Sequence, residues 1–261
     1  MGKSSTYTSK IPGPDGRFRY DAEETAIWSE LYRRQMEKLG DFACLSYLAG
    51  QEKLGFSPNS VPQVSEIDQR LNALTGAGVK PVAAIIPQAE FSGLLSERRF
   101  PVATFIRRRE HIDYIEEPDI FHEVFGHCPM LTDPAFCVFM ERFGGLAQEV
   151  PKKHVLRLYR LWWFTVEFGL IREDGALKAF GAGIMSSPSE VDHAKCGTAD
   201  VLPFDLMTIF RTAYRIDILQ PVYFVINSFD ELAASLDENI PELLDRARDM
   251  GDLPPRFDIA A

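Results

Sequence analysis

The sequence predicts a mostly α domain with small β elements, an α+β class. Three features carry that expectation: helical periodicity in the first third, short apolar runs too brief for helices, and a helix-rich stretch beyond Pro118. The chain has 261 residues and is 46% hydrophobic, enough to bury one full core. No internal repeat or linker-like break divides it. Residues 1–20 are therefore expected to be an irregular N-terminal segment and residues 21–261 a single domain.

Pro12, Gly13, Pro14 and Gly16 punctuate the start too heavily for regular structure. From Asp21 to Leu39, Ala26, Ile27, Leu31 and Met36 recur among charges, the pattern of an amphipathic surface helix. A second helix is expected from Val64 to Thr75, with Ser65 capping its start and Ile67, Leu71 and Leu74 on one face. PVAAIIP, bracketed by Pro81 and Pro87, reads as a buried strand, and Pro101 to Ile106 as another. After Pro118 helices dominate, broken at Gly144-Gly145 and at AFGAGIMSSPSE. A nucleotide-fingerprint reading of Gly181-Ala182-Gly183 is weak, because Ser186 stands where the third glycine belongs. That stretch is better read as a turn into a helix, with Ser187 as N-cap, Pro188 first in the helix and Glu190 completing a capping box. YFVIN after Pro221 is a candidate strand, and a final Glu/Asp/Leu-rich helix ends near Gly251.

A formal net charge of -10, without a large basic cluster, argues against nucleic acid as a partner. Cys44, Cys128, Cys137 and Cys196 form no CxxC pair, which fits free thiols in a reducing, cytoplasmic setting. No apolar run reaches membrane-spanning length, and the start MGKSSTYTSK lacks the apolar segment of a signal peptide. Gly2 with Thr6 satisfies the loose myristoylation pattern, which short polar starts often match.

The stretch PDIFHEVFGH places His122 and His127 five apart around Glu123. Five residues subtend about 140° on an ideal α-helix, so joint metal ligation requires the helix to be ending at His127, where Gly126 and Pro129 permit it. The zinc-hydrolase spacing of four is absent. A histidine pair alone is equally well explained by one core and one surface residue. A third ligand changes that balance. In LWWFTVEFGLI, Glu167 is the only charge, and neighbours read at helical spacing, Trp163, Phe164, Leu170 and Ile171, cannot pair with it. Buried and unpaired, such a carboxylate costs several kcal/mol, roughly, so a positive partner is expected. The competing reading continues a polar stripe through Lys153, Arg157 and Arg160, but Phe at 164 speaks against it. Two histidines and a carboxylate leave coordination positions open, the facial arrangement of non-haem Fe(II) oxygenases.

Four motifs in order, EEPDIFHEVFGHCP, LWWFTVEFGL, GAGIMSSPSE and YRIDILQPVYF, resemble those of the pterin-dependent aromatic amino acid hydroxylases, most of all their short bacterial phenylalanine-hydroxylating members. The resemblance runs from about Phe18 into the last third and implies that family's catalytic-domain fold. It implies Fe(II) bound by His122, His127 and Glu167, with tetrahydropterin (tetrahydrobiopterin or a related pterin) as second cofactor. Phe91 would stack on the pterin, Gln88 and Ile86 would lie along its edge, and Glu123 would reach it through water. Trp162 belongs to the same site and departs from the Tyr of several relatives. For the amino acid, Arg107 would hold the carboxylate and Asp119 would orient Arg107, while Pro118, Trp163, Phe168, Gly183, Ser186 and Glu190 shape the pocket. Ile216 matches a position that is apolar in the phenylalanine-specific members.

The implied reaction is hydroxylation of L-phenylalanine to L-tyrosine with O2, by a monomer. Tryptophan, or another ring carbon of phenylalanine, is the near alternative. A zinc hydrolase and a metal-free amino acid binding protein are the alternatives of other classes.

Overall fold

The computed structural model describes residues 7–257, so Gly2, Thr6 and the final four residues of the expected domain lie outside the described residues. Residues 7–21 contain no helix or strand. Tyr7 stacks on Phe105 with ring centroids 4.7 Å apart. Asp21 then opens α1 (Ala22–Leu39) through a reciprocal cap, its side chain accepting from Glu24 N–H while the Glu24 carboxylate accepts from Asp21 N–H.

After α2 (Leu45–Leu54), α3 (Val64–Thr75) starts without the expected Ser65 cap. Gln63 holds the cap position, and its amide is engaged elsewhere, accepting from Phe18 N–H at 2.9 Å and donating to the Phe18 carbonyl at 3.2 Å. The expected PVAAIIP strand is also corrected. β1 spans Gly78–Val82, and the residues after it leave the ladder, with Ile85 58% exposed. The reason lies in the partner. Beyond α4 (Gln88–Ser96), the parallel strand β2 (Arg99–Ala103) ends opposite Val82, so nothing remains for Ala83 to Pro87 to pair with. β2 in turn stops short of the expected Ile106 because the N-terminal segment claims Thr104: Ser9 Oγ accepts from its N–H, and Tyr20 OH donates to its carbonyl.

Beyond Asp119 a π-helical turn (Phe121–His127) runs into a 3-10 turn (Cys128–Thr132), followed by α5 (Pro134–Glu149) and α6 (Lys152–Trp162). α6 passes directly into a second π turn, Trp163–Glu167. Leu170 and Ile171 are not helical neighbours of Glu167 as expected; they open β3 (Leu170–Glu173), which pairs antiparallel with β4 (Ala176–Ala179). Gly169 makes this switch sterically feasible, since a Cβ there would lie 2.2 Å from the Phe180 ring and 2.4 Å from the Thr165 carbonyl.

The remaining elements are α7 (Ala182–Met185), α8 (Pro188–Cys196), β5 (Asp200–Pro203), α9 (Leu206–Arg211), β6 (Val222–Ile226), α10 (Phe229–Ala234) and α11 (Ile240–Met250). The larger sheet has the order β4-β3-β6-β5, with β6 parallel to both neighbours. Every residue of β6 is buried, as the continuous apolar run of a central parallel strand requires. Phe121, Phe125, Phe139 and Phe143 are fully buried, and they join both π turns to one continuous apolar core.

Candidate active site

The first π turn solves the five-residue problem through its winding, and it ends at His127, where the chain passes into the 3-10 turn. A π-helix bonds residue i to i+5, so side chains five apart lie about one turn apart and face the same way. His122 and His127 accordingly point their Nε2 atoms at each other, 3.1 Å apart, with ring planes at 87°. Asp119 anchors the turn by accepting from His122 N–H at 3.0 Å. Ser186, on α7's C-terminal side, fixes the His122 tautomer. Its hydroxyl donates to the Ala182 carbonyl at 2.8 Å and therefore accepts from His122 Nδ1, also at 2.8 Å. Nδ1 thus carries the proton, leaving the Nε2 lone pair facing the centre. Burial pushes the His122 pKa down to about 4, and burial together with His122 pushes His127 well below the usual imidazole range. Both rings are neutral, the form that ligates metals.

The second π turn delivers Glu167. Its Oε1 lies 3.5 Å from His127 Nε2 and its Oε2 3.6 Å from His122 Nε2, and Trp162 Nε1 donates to Oε1 at 3.0 Å. Burial raises its pKa to about 7, with the Trp162 bond acting in the opposite direction. The polar-stripe reading fails here. Arg157 and Arg160 pair with Asp252 at 2.5 and 2.8 Å, Lys153 pairs with Asp245 at 2.9 Å, and the change of winding turns Glu167 off their face.

Donors bound at about 2.0–2.2 Å to one ion stand about 3 Å apart when adjacent. The two imidazole nitrogens, 3.1 Å apart, meet that requirement, and the Glu167 oxygens stand near it, Oε1 3.5 Å from His127 and Oε2 3.6 Å from His122. Glu123 also offers an oxygen within 4.8 Å of both imidazole donors, so two carboxylates compete for the third position. Glu167 is the better candidate, because each of its oxygens already faces one imidazole. Glu123 is pushed well above the usual carboxylate range by burial, then by Glu167 and Asp119, which favours its neutral form.

On one side of this centre Arg107 and Asp119 form a buried fork: Nε to Oδ2 and Nη2 to Oδ1, both 2.8 Å, with Arg107 N–H also on Oδ2 at 2.9 Å. Burial alone would raise the Asp119 pKa, but the Arg107 guanidinium holds it below the usual value. Pro118 precedes this pair directly. Trp163 stacks on Tyr214 at 4.4 Å and meets Phe168 at 4.7 Å. Gly183 lets Phe168 lie against α7, since a Cβ there would come within 2.5 Å of the ring.

One expectation is corrected here. Glu190 completes no capping box: Ser187 caps α8 as expected, but the Glu190 carboxylate turns inward, where Oε1 accepts from Gln220 N–H at 3.1 Å and from Tyr223 OH. Ile216 is 73% exposed on the loop before β6.

Gln220 escaped sequence reading. It is buried, accepts from Trp163 Nε1 at 2.8 Å, donates to the Arg215 and Ile218 carbonyls, and so pins that loop to the aromatic cluster. No periodicity marks a loop glutamine, and only its place inside YRIDILQPVYF drew notice.

On the other side of the centre, Phe91 on α4 meets Trp162 edge-on at 5.3 Å and Tyr159 at 6.4 Å. Gln88 begins α4 and Ile86 lies in the loop before it.

Two neutral imidazoles and one carboxylate, carried by two π turns of an α+β domain, define a candidate mononuclear centre of the two-histidine, one-carboxylate class. Comparison with known proteins narrows the class. The profile of the biopterin-dependent aromatic amino acid hydroxylase family matches residues 4–248. A phenylalanine-4-hydroxylase of Vibrio cholerae is 44% identical over 252 residues, covering 96% of this chain and 87% of that one. The structure of phenylalanine hydroxylase from Legionella pneumophila superposes with a TM-score of 0.93 at 45% identity, covering 96% of this chain and 100% of that one. The Chromobacterium violaceum phenylalanine hydroxylase with bound oxidised Fe(III) superposes with a TM-score of 0.89 at 37% identity, covering 96% and 90%. The chain belongs to the biopterin-dependent aromatic amino acid hydroxylase family.

Proposed function

We propose that this chain is a phenylalanine 4-monooxygenase, converting L-phenylalanine to L-tyrosine with O2, Fe(II) and a tetrahydropterin. The single observation that carries the reading is the convergence of His122 Nε2 and His127 Nε2, 3.1 Å apart, with the Glu167 carboxylate, whose Oε1 is 3.5 Å from His127 and Oε2 3.6 Å from His122. These three residues would hold the iron. When bound, iron and pterin together supply the activation of O2 and the oxygen atom that enters the ring.

The chain's own residues supply position and dryness. Arg107, braced by Asp119, presents its remaining guanidinium N–H groups to the amino acid carboxylate. Trp163 and Phe168 wall the aromatic side of that pocket, with Pro118, Gly183, Ser186 and Glu190 shaping it around them. Phe91 offers a ring face for the pterin, with Ile86, Gln88, Trp162 and Glu123 around it. The His122 proton stays on Nδ1 through Ser186, keeping Nε2 available for the metal. Residues 21–261 act as one catalytic domain, monomeric and cytoplasmic; among the described residues no helix is long and apolar enough to cross a membrane.

The test is product analysis after anaerobic Fe(II) loading, with tetrahydropterin, O2 and each aromatic amino acid. Tyrosine from phenylalanine is the expected product. Only 3-hydroxyphenylalanine or 5-hydroxytryptophan would remove the assignment. Glu167→Ala should lower iron-supported tyrosine formation roughly 100-fold or more, since even outer-shell changes cost 10–100-fold. Normal turnover in that variant would refute the ligand assignment.

A further inference from the structure

Trp162 touches both halves of the site. Its indole N–H donates to Glu167 Oε1 at 3.0 Å, and among the described residues it is the one neutral donor on that carboxylate. The ring itself is held on two sides, edge-on to Phe91 at 5.3 Å and tilted against Phe143 at 5.1 Å, and it is only 5% exposed. Trp162 and Glu167 are five residues apart, the same spacing as the histidine pair, and the π turn between them brings indole and carboxylate to one side. A carboxylate on a single side-chain stem rotates freely unless a donor fixes its plane. Here that donor is buried and packed against the Phe91 and Phe143 rings, which restrain the indole.

We propose that Trp162 is a positioning residue that fixes the plane of the Glu167 carboxylate towards His122 and His127, and thereby sets the affinity and geometry of the metal centre. This rests on reading Glu167 as a ligand. Groups that hold a ligating side chain through a hydrogen bond typically account for 10–100-fold in metal affinity. A merely structural tryptophan would act otherwise, lowering the thermal midpoint of the metal-free protein without altering the metal's spectrum.

The experiment is titration of the metal-free protein with Co(II), read by calorimetry and by the visible absorption of the bound ion. The proteins compared are wild type, Trp162→Phe and a form carrying 3-benzothienylalanine at position 162. The last replaces the N–H by sulfur and keeps the ring's shape, so it decides the question if the phenylalanine variant fails to fold. The expected result is about 10–100-fold weaker Co(II) binding, a changed absorption band, and for the isosteric form an unchanged midpoint of the metal-free protein. Wild-type affinity and spectrum in the isosteric form would overturn the proposal. Glu167→Ala, titrated in parallel, separates the two levels. If it binds Co(II) like wild type, the ligand reading falls; if it loses Co(II) while the isosteric form does not, only the role of Trp162 falls.

Discussion

Glu190 shows what a single buried charge does to this protein. Its carboxylate is 4% exposed and spends one oxygen on two donors, Gln220 N–H and Tyr223 OH. Burial raises its pKa, the Tyr223 and Gln220 bonds only partly opposing the shift. The folded state therefore prefers the neutral acid. A raised folded pKa gives a contribution fully present below the unfolded value and lost as pH rises through the folded one. Glu190→Gln keeps a carbonyl oxygen for both donors and removes the charge. Its thermal midpoint relative to wild type should therefore climb as pH rises above the ordinary carboxylate value, and a difference that stays flat or shrinks would contradict this account. The sequence marked Glu190 as a pocket residue and a helix cap; it could not show that the carboxylate serves β6. In the same way Ser186 was readable as a neighbour of the pocket, but its control of the His122 tautomer depends on a contact 64 residues away in sequence.

The two π turns are the elements on which the centre depends, and both are held open by glycine. A Cβ on Gly181 would stand 2.5 Å from the Glu167 carbonyl oxygen and 2.5 Å from Gly169 N, both backbone atoms that cannot swing aside. A Cβ on Gly126 would stand 3.1 Å from Ala182, tighter than ordinary contact. Gly181→Ala should cost about 1–3 kcal/mol by overpacking and weaken metal binding, because the displaced carbonyl belongs to Glu167, the proposed ligand. Gly145→Ala, whose Cβ meets nothing within 4 Å, is the matched control and should leave metal binding unchanged. Chemical denaturation and Co(II) titration of both variants check this; equal metal affinity in Gly181→Ala would show that the second π turn tolerates displacement. These turns also mark the limit of what sequence could show. The candidate ligands were legible because a lone charge in LWWFTVEFGLI and a histidine pair beside Pro118 stand out whatever the winding. The winding was not, since an α-helix and a π-helix share their residues and differ in what packs against them. The expectation that the helix ends at His127 agrees with the π turn Phe121–His127; what the residues did not show was that this last turn is π-wound. Helix α1 was fully legible because its cap and its periodicity are local; β3, β4 and β5 have four residues each and exist through their partners.

Across the whole molecule, the centre joins parts of the chain that share no local sequence. His122 and His127 lie on one π turn, Glu167 on another, and Ser186 after α7, all packed into one continuous apolar core. In the metal-free fold the imidazoles are neutral and the carboxylate titrates near pH 7, so the three donors meet with little mutual repulsion. A divalent ion bound there favours the folded state by mass action, since unfolding scatters its ligands. At a free metal concentration of 100 times Kd the gain is about 2.7 kcal/mol, less any binding of metal to the unfolded chain. For a domain of this size that corresponds to a rise of roughly 5–10 °C in the unfolding midpoint. Fe(II) or Co(II), added without oxygen, should produce that rise, and a chelator should reverse it. Glu167→Ala should abolish most of it, while the loss of the acceptor for the buried Trp162 N–H lowers the metal-free midpoint by a separate, metal-independent amount. The same rise in Glu167→Ala as in wild type would mean that the ion binds elsewhere, and that the convergence of the two π turns serves packing rather than metal.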